Sequence, residues 1–214
     1  MSNQFLYVFV TCQDRFSKVY SKIREMMHLL DCDDWLIVKG GFEKDELLLD
    51  QNILQLKCND FYEGLPEKVF CMLRTFCSDD RLRLYTHVCK LDDDMQILRL
   101  LPSDKLGQVD YCGKVQFGEG SRTWHIGKCS DGSVFQSQEY TGSFVPWCRG
   151  GYGYVLTRRA AEVVADAGTG FDPVREIYED VFVGKALRAA KIEPRNWPNL
   201  SKFLKSPHDA SDQV

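Results

Sequence analysis

Three consecutive carboxylates, Asp92-Asp93-Asp94, follow directly on the run Tyr85-Thr86-His87-Val88-Cys89-Lys90-Leu91. That junction constrains the fold more than any other stretch. Adjacent carboxylates repel by about 1 kcal/mol per pair at 4 Å even in water. A buried strand ending in three of them must therefore open onto solvent or onto compensating charge. In extended chain Asp92 and Asp94 share one side, and Asp93 faces the other. Two same-side oxygen ligands at the mouth of a sheet suit Mg²⁺ or Mn²⁺, with substrate phosphates and waters completing the shell. An exposed acidic turn leading into the next helix is the competing reading, and these residues alone leave both open.

The elements around the junction predict an α/β fold. Phe5 to Thr11 reads as a buried strand, followed by the polar turn Cys12-Gln13-Asp14-Arg15. Ile23, Met26, Met27 and Leu30 recur at spacings of three and four, which predicts a helix from about Ser17 to Leu30. Strands are predicted over Trp35–Val38, Ile53–Lys57 and Arg83–Leu91, with a helix over Pro66–Cys77. Such alternation gives a sheet flanked by helices, with ligands at the carboxyl ends of the strands. Residues 107–150 read as loops and short strands forming one wall of a cleft, and further helices are predicted over Thr157–Ala167 and Glu179–Ala190.

With 214 residues the chain suits a single domain, and only the tail Ser206 to Val214 reads as disordered. A net charge of −4 without a basic cluster argues against nucleic acid as the partner. The run Phe5–Val10 is too short to span a bilayer and lacks the flanks of a signal peptide, so no membrane span is expected. Nine cysteines without paired spacing predict reduced thiols and a cytoplasmic setting.

Two further segments carry chemistry. Glu179-Asp180 opens the last helix, where a carboxylate is favoured by the helix dipole. It reads either as a plain helix start or as a general base aimed into the cleft. Pro146-Trp147-Cys148-Arg149-Gly150-Gly151-Tyr152-Gly153-Tyr154 sets three glycines among aromatic rings. It reads either as a tight turn or as a backbone passing close to a sugar.

Five segments, in order along residues 50–185, resemble the inverting β-1,3-galactosyltransferase and Fringe-like glycosyltransferases of the GT-A fold. Asp60-Phe61-Tyr62-Glu63-Gly64-Leu65-Pro66-Glu67-Lys68 looks like the family's D-x-Y-x-N-L-x-x-K, with Gly64 in place of Asn. Lys90 to Asp94 looks like its K-x-D-D-D, and Trp124 to Lys128 is a weaker echo of its K-W segment. Pro146 to Leu156 looks like its aromatic-glycine turn, and Tyr178 to Gly184 like its E-D-V-[FY]-V-G.

The resemblance implies a nucleotide-sugar-binding half over 1–106 and an acceptor-binding and catalytic half over 107–214. It implies a metal bound by Asp94, with Asp92 assisting or on the ribose, and by His208. Asp180 would be the base, with Glu179 its runner-up. Thr11, Gln13, Asp14, Arg15, Lys68 and Asp93 would contact the nucleotide-sugar. Trp147, Gly150, Gly151 and Tyr152 would form the sugar loop. The expected activity is metal-dependent inverting transfer from a UDP-sugar to a glycan or glycoprotein hydroxyl. A retaining transferase, a non-catalytic glycan-binding module and a nucleotidyltransferase are the rivals, the last weakened by the lack of a basic Gly-rich loop. A short chain with no anchor fits a viral or bacterial enzyme and resembles the glycosyltransferase domains of large algal viruses, though no particular residue carries that likeness; a viral enzyme would be expected in the host cytoplasm.

Overall fold

The structure, a computed structural model, describes residues 4–102, 109–166, 175–197 and 199–209. Its elements in chain order are β1 Phe5–Val10, α1 Gln13–Leu29, β2 Trp35–Lys39, β3 Glu46–Leu48, β4 Ile53–Gln55, α2 Leu65–Ser78, β5 His87–Asp92, β6 Gln96–Ile97, β7 Tyr111–Gly113 and β8 Val115–Gln116. They continue with β9 Trp147–Cys148, β10 Tyr154–Thr157, α3 Arg158–Asp166, α4 Glu179–Ala189, β11 Arg195–Asn196 and β12 Leu204–Lys205.

Eight strands form one mixed sheet in the order β11-β7-β10-β5-β1-β2-β4-β3. Strands β4, β2, β1 and β5 are parallel, and β10 runs antiparallel to both β5 and β7. Strand β1 lies in the middle and is buried on both faces. Leu6, Val8 and Val10 enter one core, while Phe5, Tyr7 and Phe9 enter the other. This is the period-two alternation of a strand covered on both sides. Helix α1 covers one face with Val19, Ile23 and Met27. Helices α2, α3 and α4 pack together over the other face through Leu73, Phe76, Val164, Phe182 and Leu187. This is the mixed α/β architecture expected of a GT-A-type transferase. No helix among the described residues is long and apolar enough to cross a membrane. The nine cysteines carry no disulfide, and six of them are buried.

Register brings the site together. Val10 lies opposite Asp92 on one side and Val38 on the other, so β1, β2 and β5 end on a common edge. Asp60 ties that edge down. Its carboxylate accepts the N–H groups of Gln13 and Gly40, each at 2.6 Å, and pairs with Lys68 Nζ at 2.7 Å. Lys68 is fully buried and also donates to the Thr11 carbonyl at 2.8 Å.

This network accounts for one departure from expectation. Helix α1 begins at Gln13, four residues before the predicted Ser17, so Gln13, Asp14 and Arg15 form its first turn rather than a loop. Cys12 supplies no side-chain cap; a first-turn N–H is satisfied instead by Asp60 from a distant loop, which a local reading of the sequence does not see. Strand β5 starts at His87, not Arg83, because the Asp79 side chain takes the Arg81 N–H and holds 80–82 in a helical turn. Strands β3 and β10 were not foreseen. The buried run Tyr154-Val155-Leu156 reads as a lead-in to a helix, and only pairing with β5 and β7 makes it a strand.

Gly64, the departure from the family pattern, has its own cause, since a Cβ there would collide with the backbone of Asn59. The predicted helix end at Ala167, the boundary between 106 and 107, and residues 210–214 of the predicted tail lie outside the described residues. The described start of that tail is ordered: Ser206 is buried and its hydroxyl donates to the Gly151 carbonyl at 2.7 Å.

Lys68→Met keeps the side-chain length and leaves Asp60 and the Thr11 carbonyl without their cation. The expected loss is about 3 kcal/mol of unfolding free energy, read as a lowered urea midpoint at constant slope. A change under about 1 kcal/mol would place Lys68 among weak surface pairs.

Candidate active site

The three aspartates part company at the end of β5. Strand pairing stops at Asp92, so Asp93 and Asp94 lie in a turn. Asp93 is buried, accepts the Thr11 hydroxyl at 2.5 Å and pairs with Arg15 at 2.6 Å. Burial raises its pKa even so, against the pull of Thr11 and Arg15. Asp94 is exposed. Asp92 is half-buried and pairs with Lys90 Nζ at 2.6 Å.

Lys90 is the residue the sequence reading passed over. It lies in the middle of the buried sheet, on the same side of β5 as Asp92, and only 2% of its side chain is exposed. Its ammonium reaches Asp92 on one side and Glu179 Oε1, at 2.5 Å, on the other. Burial alone would discharge it, but the two carboxylates outweigh burial and raise its pKa. Glu179 is buried as well and also accepts the Tyr154 hydroxyl at 2.9 Å. Burial pushes its carboxyl up to about 7 despite the adjacent ammonium. Its neighbours are therefore Lys90 and Tyr154 rather than the cleft. A lysine inside an apolar strand, two residues before a carboxylate, is the signal that could have revealed the pair.

Asp180 faces the other way. It lines a cleft of about 400 Å³ together with Trp124, Phe144, Trp147, Tyr152, Tyr178 and His208. One carboxylate oxygen accepts the Gly150 N–H at 2.8 Å and the Trp147 indole N–H at 3.2 Å, and the other accepts the Val181 N–H at 2.8 Å. Burial raises its pKa, against the pull of the Gly150 N–H and the Lys90 charge. The Gly150 turn sits so close to α4 that a Cβ would strike Glu179 and come within 3.3 Å of Asp180 Cβ.

The fit to a divalent cation can be tested at Gly151. A Cβ on that residue would lie 3.3 Å from His208 Nε2 and 3.9 Å from Asp92 Oδ2. The missing side chain thus leaves a gap shared by an imidazole and a carboxylate, a donor set that fits a cation completing its shell with phosphates and water. Among the described residues no three His, Cys, Asp or Glu side chains converge into a closed metal cage. Asp94, first expected as the direct ligand, is on the same turn and makes no hydrogen bond or ion pair among the described residues.

The remaining predicted residues divide. Trp147, Gly151 and Tyr152 line the cleft, Gly150 sits behind them with its N–H on Asp180, and the Tyr152 hydroxyl donates to the His208 carbonyl at 3.2 Å. Thr11 and Arg15 converge on Asp93, while Gln13 and Asp14 are exposed at the start of α1. Lys68 does not reach the cleft, because its ammonium is spent beneath Thr11 and Asp60. Thus Lys68 braces the edge from below, and Glu179 braces Lys90. Sequence reasoning missed His125, which is buried and joins the Tyr178 hydroxyl, at 2.7 Å, to the Gln138 carbonyl, at 2.9 Å.

A family model described as Galactosyltransferase matches residues 41–198, a span that takes in the aspartates, the glycine turn and Glu179-Asp180. A search of curated proteins found no match.

The Lys90 bridge has a pH signature. The folded chain holds the Glu179 proton up to about 7, against an ordinary value of 4.5. Its contribution to stability is therefore full below about 4.5 and lost as pH rises through about 7. Lys90→Met removes the countercharge and deepens that loss. The expected deficit is about 3 kcal/mol near pH 8 and smaller near pH 5, by urea unfolding at both. Equal deficits would mean that Glu179 does not titrate in this range.

Proposed function

The chain belongs to the galactosyltransferase family and is a glycosyltransferase, and from that premise we propose metal-dependent, inverting transfer of a sugar from a UDP-sugar to a hydroxyl of a glycan or glycoprotein. The observation that carries this reading is Asp180, a carboxylate fixed by three N–H donors in an aromatic cleft that His208 also lines.

A base must reach the acceptor hydroxyl and keep a usable pKa. Asp180 opens into the cleft, and burial has raised its proton affinity above that of an ordinary aspartate. It accepts the acceptor proton as the acceptor oxygen attacks the anomeric carbon. A single displacement of this kind inverts the anomeric centre. The faces of Trp124, Phe144, Trp147 and Tyr152 suit the C–H faces of sugar rings and help keep water from the donor. Thr11 and Arg15, gathered on Asp93, supply the nucleotide side of the edge. Asp92 and His208, with Asp94 beside them, would hold Mn²⁺ or Mg²⁺, a Lewis acid that stabilises charge on the departing diphosphate. The imidazole nitrogen favours Mn²⁺, the softer of the two.

Four measurements test this. Calorimetric titration of a nucleotide-sugar panel should show one donor binding with Mn²⁺ and not with chelator, and Asp92→Ala or Asp94→Ala should abolish that dependence. Asp180→Asn should keep donor binding and lower turnover by about 10²–10⁴. In the wild type, the acidic limb of log kcat/KM should have its midpoint above the ordinary aspartate value of 3.8, because protonated Asp180 cannot accept the proton. A product that keeps the donor's anomeric configuration would overturn inversion.

A further inference from the structure

We propose that Lys128 is a second cation for the donor diphosphate, a substrate-contacting residue seated on an aromatic ring of the cleft wall; the inference rests on the transferase reading above. Its ammonium lies 3.4 Å from the centroid of the Trp124 ring and 5.6 Å from that of Tyr62. Among the described residues no carboxylate pairs with it and its ammonium makes no hydrogen bond. Partial burial lowers its pKa, with no anion to restore it.

Both rings belong to the site. Trp124 lines the cleft and meets His208 edge-on at 6.2 Å. The Tyr62 hydroxyl feels the charges of Asp180 and Asp92 and has no hydrogen-bond partner among the described residues. The ammonium therefore stands on a ring that lines the cleft and also meets His208, the imidazole that would help hold the cation.

The segment carrying Lys128 is anchored on both sides. Its N–H donates to the His125 carbonyl at 3.0 Å, and His125 is locked by Tyr178 and Gln138. Ser130 bonds through its N–H and its hydroxyl to the carboxylate of Glu63, next to Tyr62. A lysine held in place without a counterion is a site for a ligand's anion. As the anomeric C–O bond breaks, its electron pair passes to the β-phosphate oxygen. Lys128 keeps its proton and donates a charge-assisted hydrogen bond to the diphosphate.

The test is calorimetric binding of UDP and GDP, and of uridine and guanosine, all with Mn²⁺, to wild type, Lys128→Gln and Lys128→Arg of matched melting temperature. The expected result is about tenfold weaker diphosphate binding to Lys128→Gln, unchanged nucleoside binding, and substantial rescue by Lys128→Arg. Steady-state kinetics should show a lower kcat with the acceptor KM unmoved. Equal diphosphate binding in wild type and Lys128→Gln overturns the inference while leaving the transferase reading intact. A defect confined to acidic acceptors overturns it in favour of an acceptor carboxylate. No binding of either diphosphate to the wild type overturns both readings together.

Discussion

One buried ammonium holds this site in its shape. Lys90 stands in the centre of the sheet, where a lone cation would be discharged by burial, and is kept charged by Asp92 and Glu179. The strand that carries Asp92 and the helix that carries Glu179 are thereby joined by charge-assisted bonds. Asp180, next to Glu179, inherits its position from that link. Buried ion triads seldom add stability beyond what apolar packing would give, since desolvation offsets their attraction. Their value lies in geometry: the bond fixes which way the N-terminus of α4 faces, and so which carboxylate enters the cleft.

Much of the fold was legible in the sequence because period and burial coincide there. The apolar run Phe5–Val10 is buried on both faces, and Ile23 and Met27 fall on the stripe their spacing implied. Misreadings came where a distant partner decided the outcome. The start of α1 depends on Asp60, and β10 depends on its neighbours in the sheet. The candidate site was legible in its parts and less so in its roles. The triplet of aspartates was conspicuous, but its members turn to three different environments. Lys68 and Glu179 stood in recognisable motifs, yet each is spent on bracing. Lys90 and Lys128 stood in quoted segments without a role of their own, because a lysine reads as surface until burial and its partners are known.

The arrangement also divides labour between the two kinds of polar contact. Below the edge, buried Lys68 is taken up by Asp60, and buried Lys90 and Glu179 by each other, so neither ammonium is available to a ligand. Above it, Asp94, Arg15 and Lys128 are exposed, and Asp92 is half-buried. The chain's mildly acidic balance is no obstacle to a phosphate-bearing donor, because local charge at the edge governs the encounter at close range.

The link between Ser206 and Gly151, with His208 just beyond it, has a consequence for how the enzyme comes into being. The edge opens with Thr11 and closes with an imidazole nearly two hundred positions later. A nascent chain can assemble the parallel strands β1, β2, β4 and β5 early, yet the cleft lacks its last wall until that late segment has left the ribosome. Competence for chemistry thus waits on that later segment, and chains that stop short of it carry a sheet without a complete site.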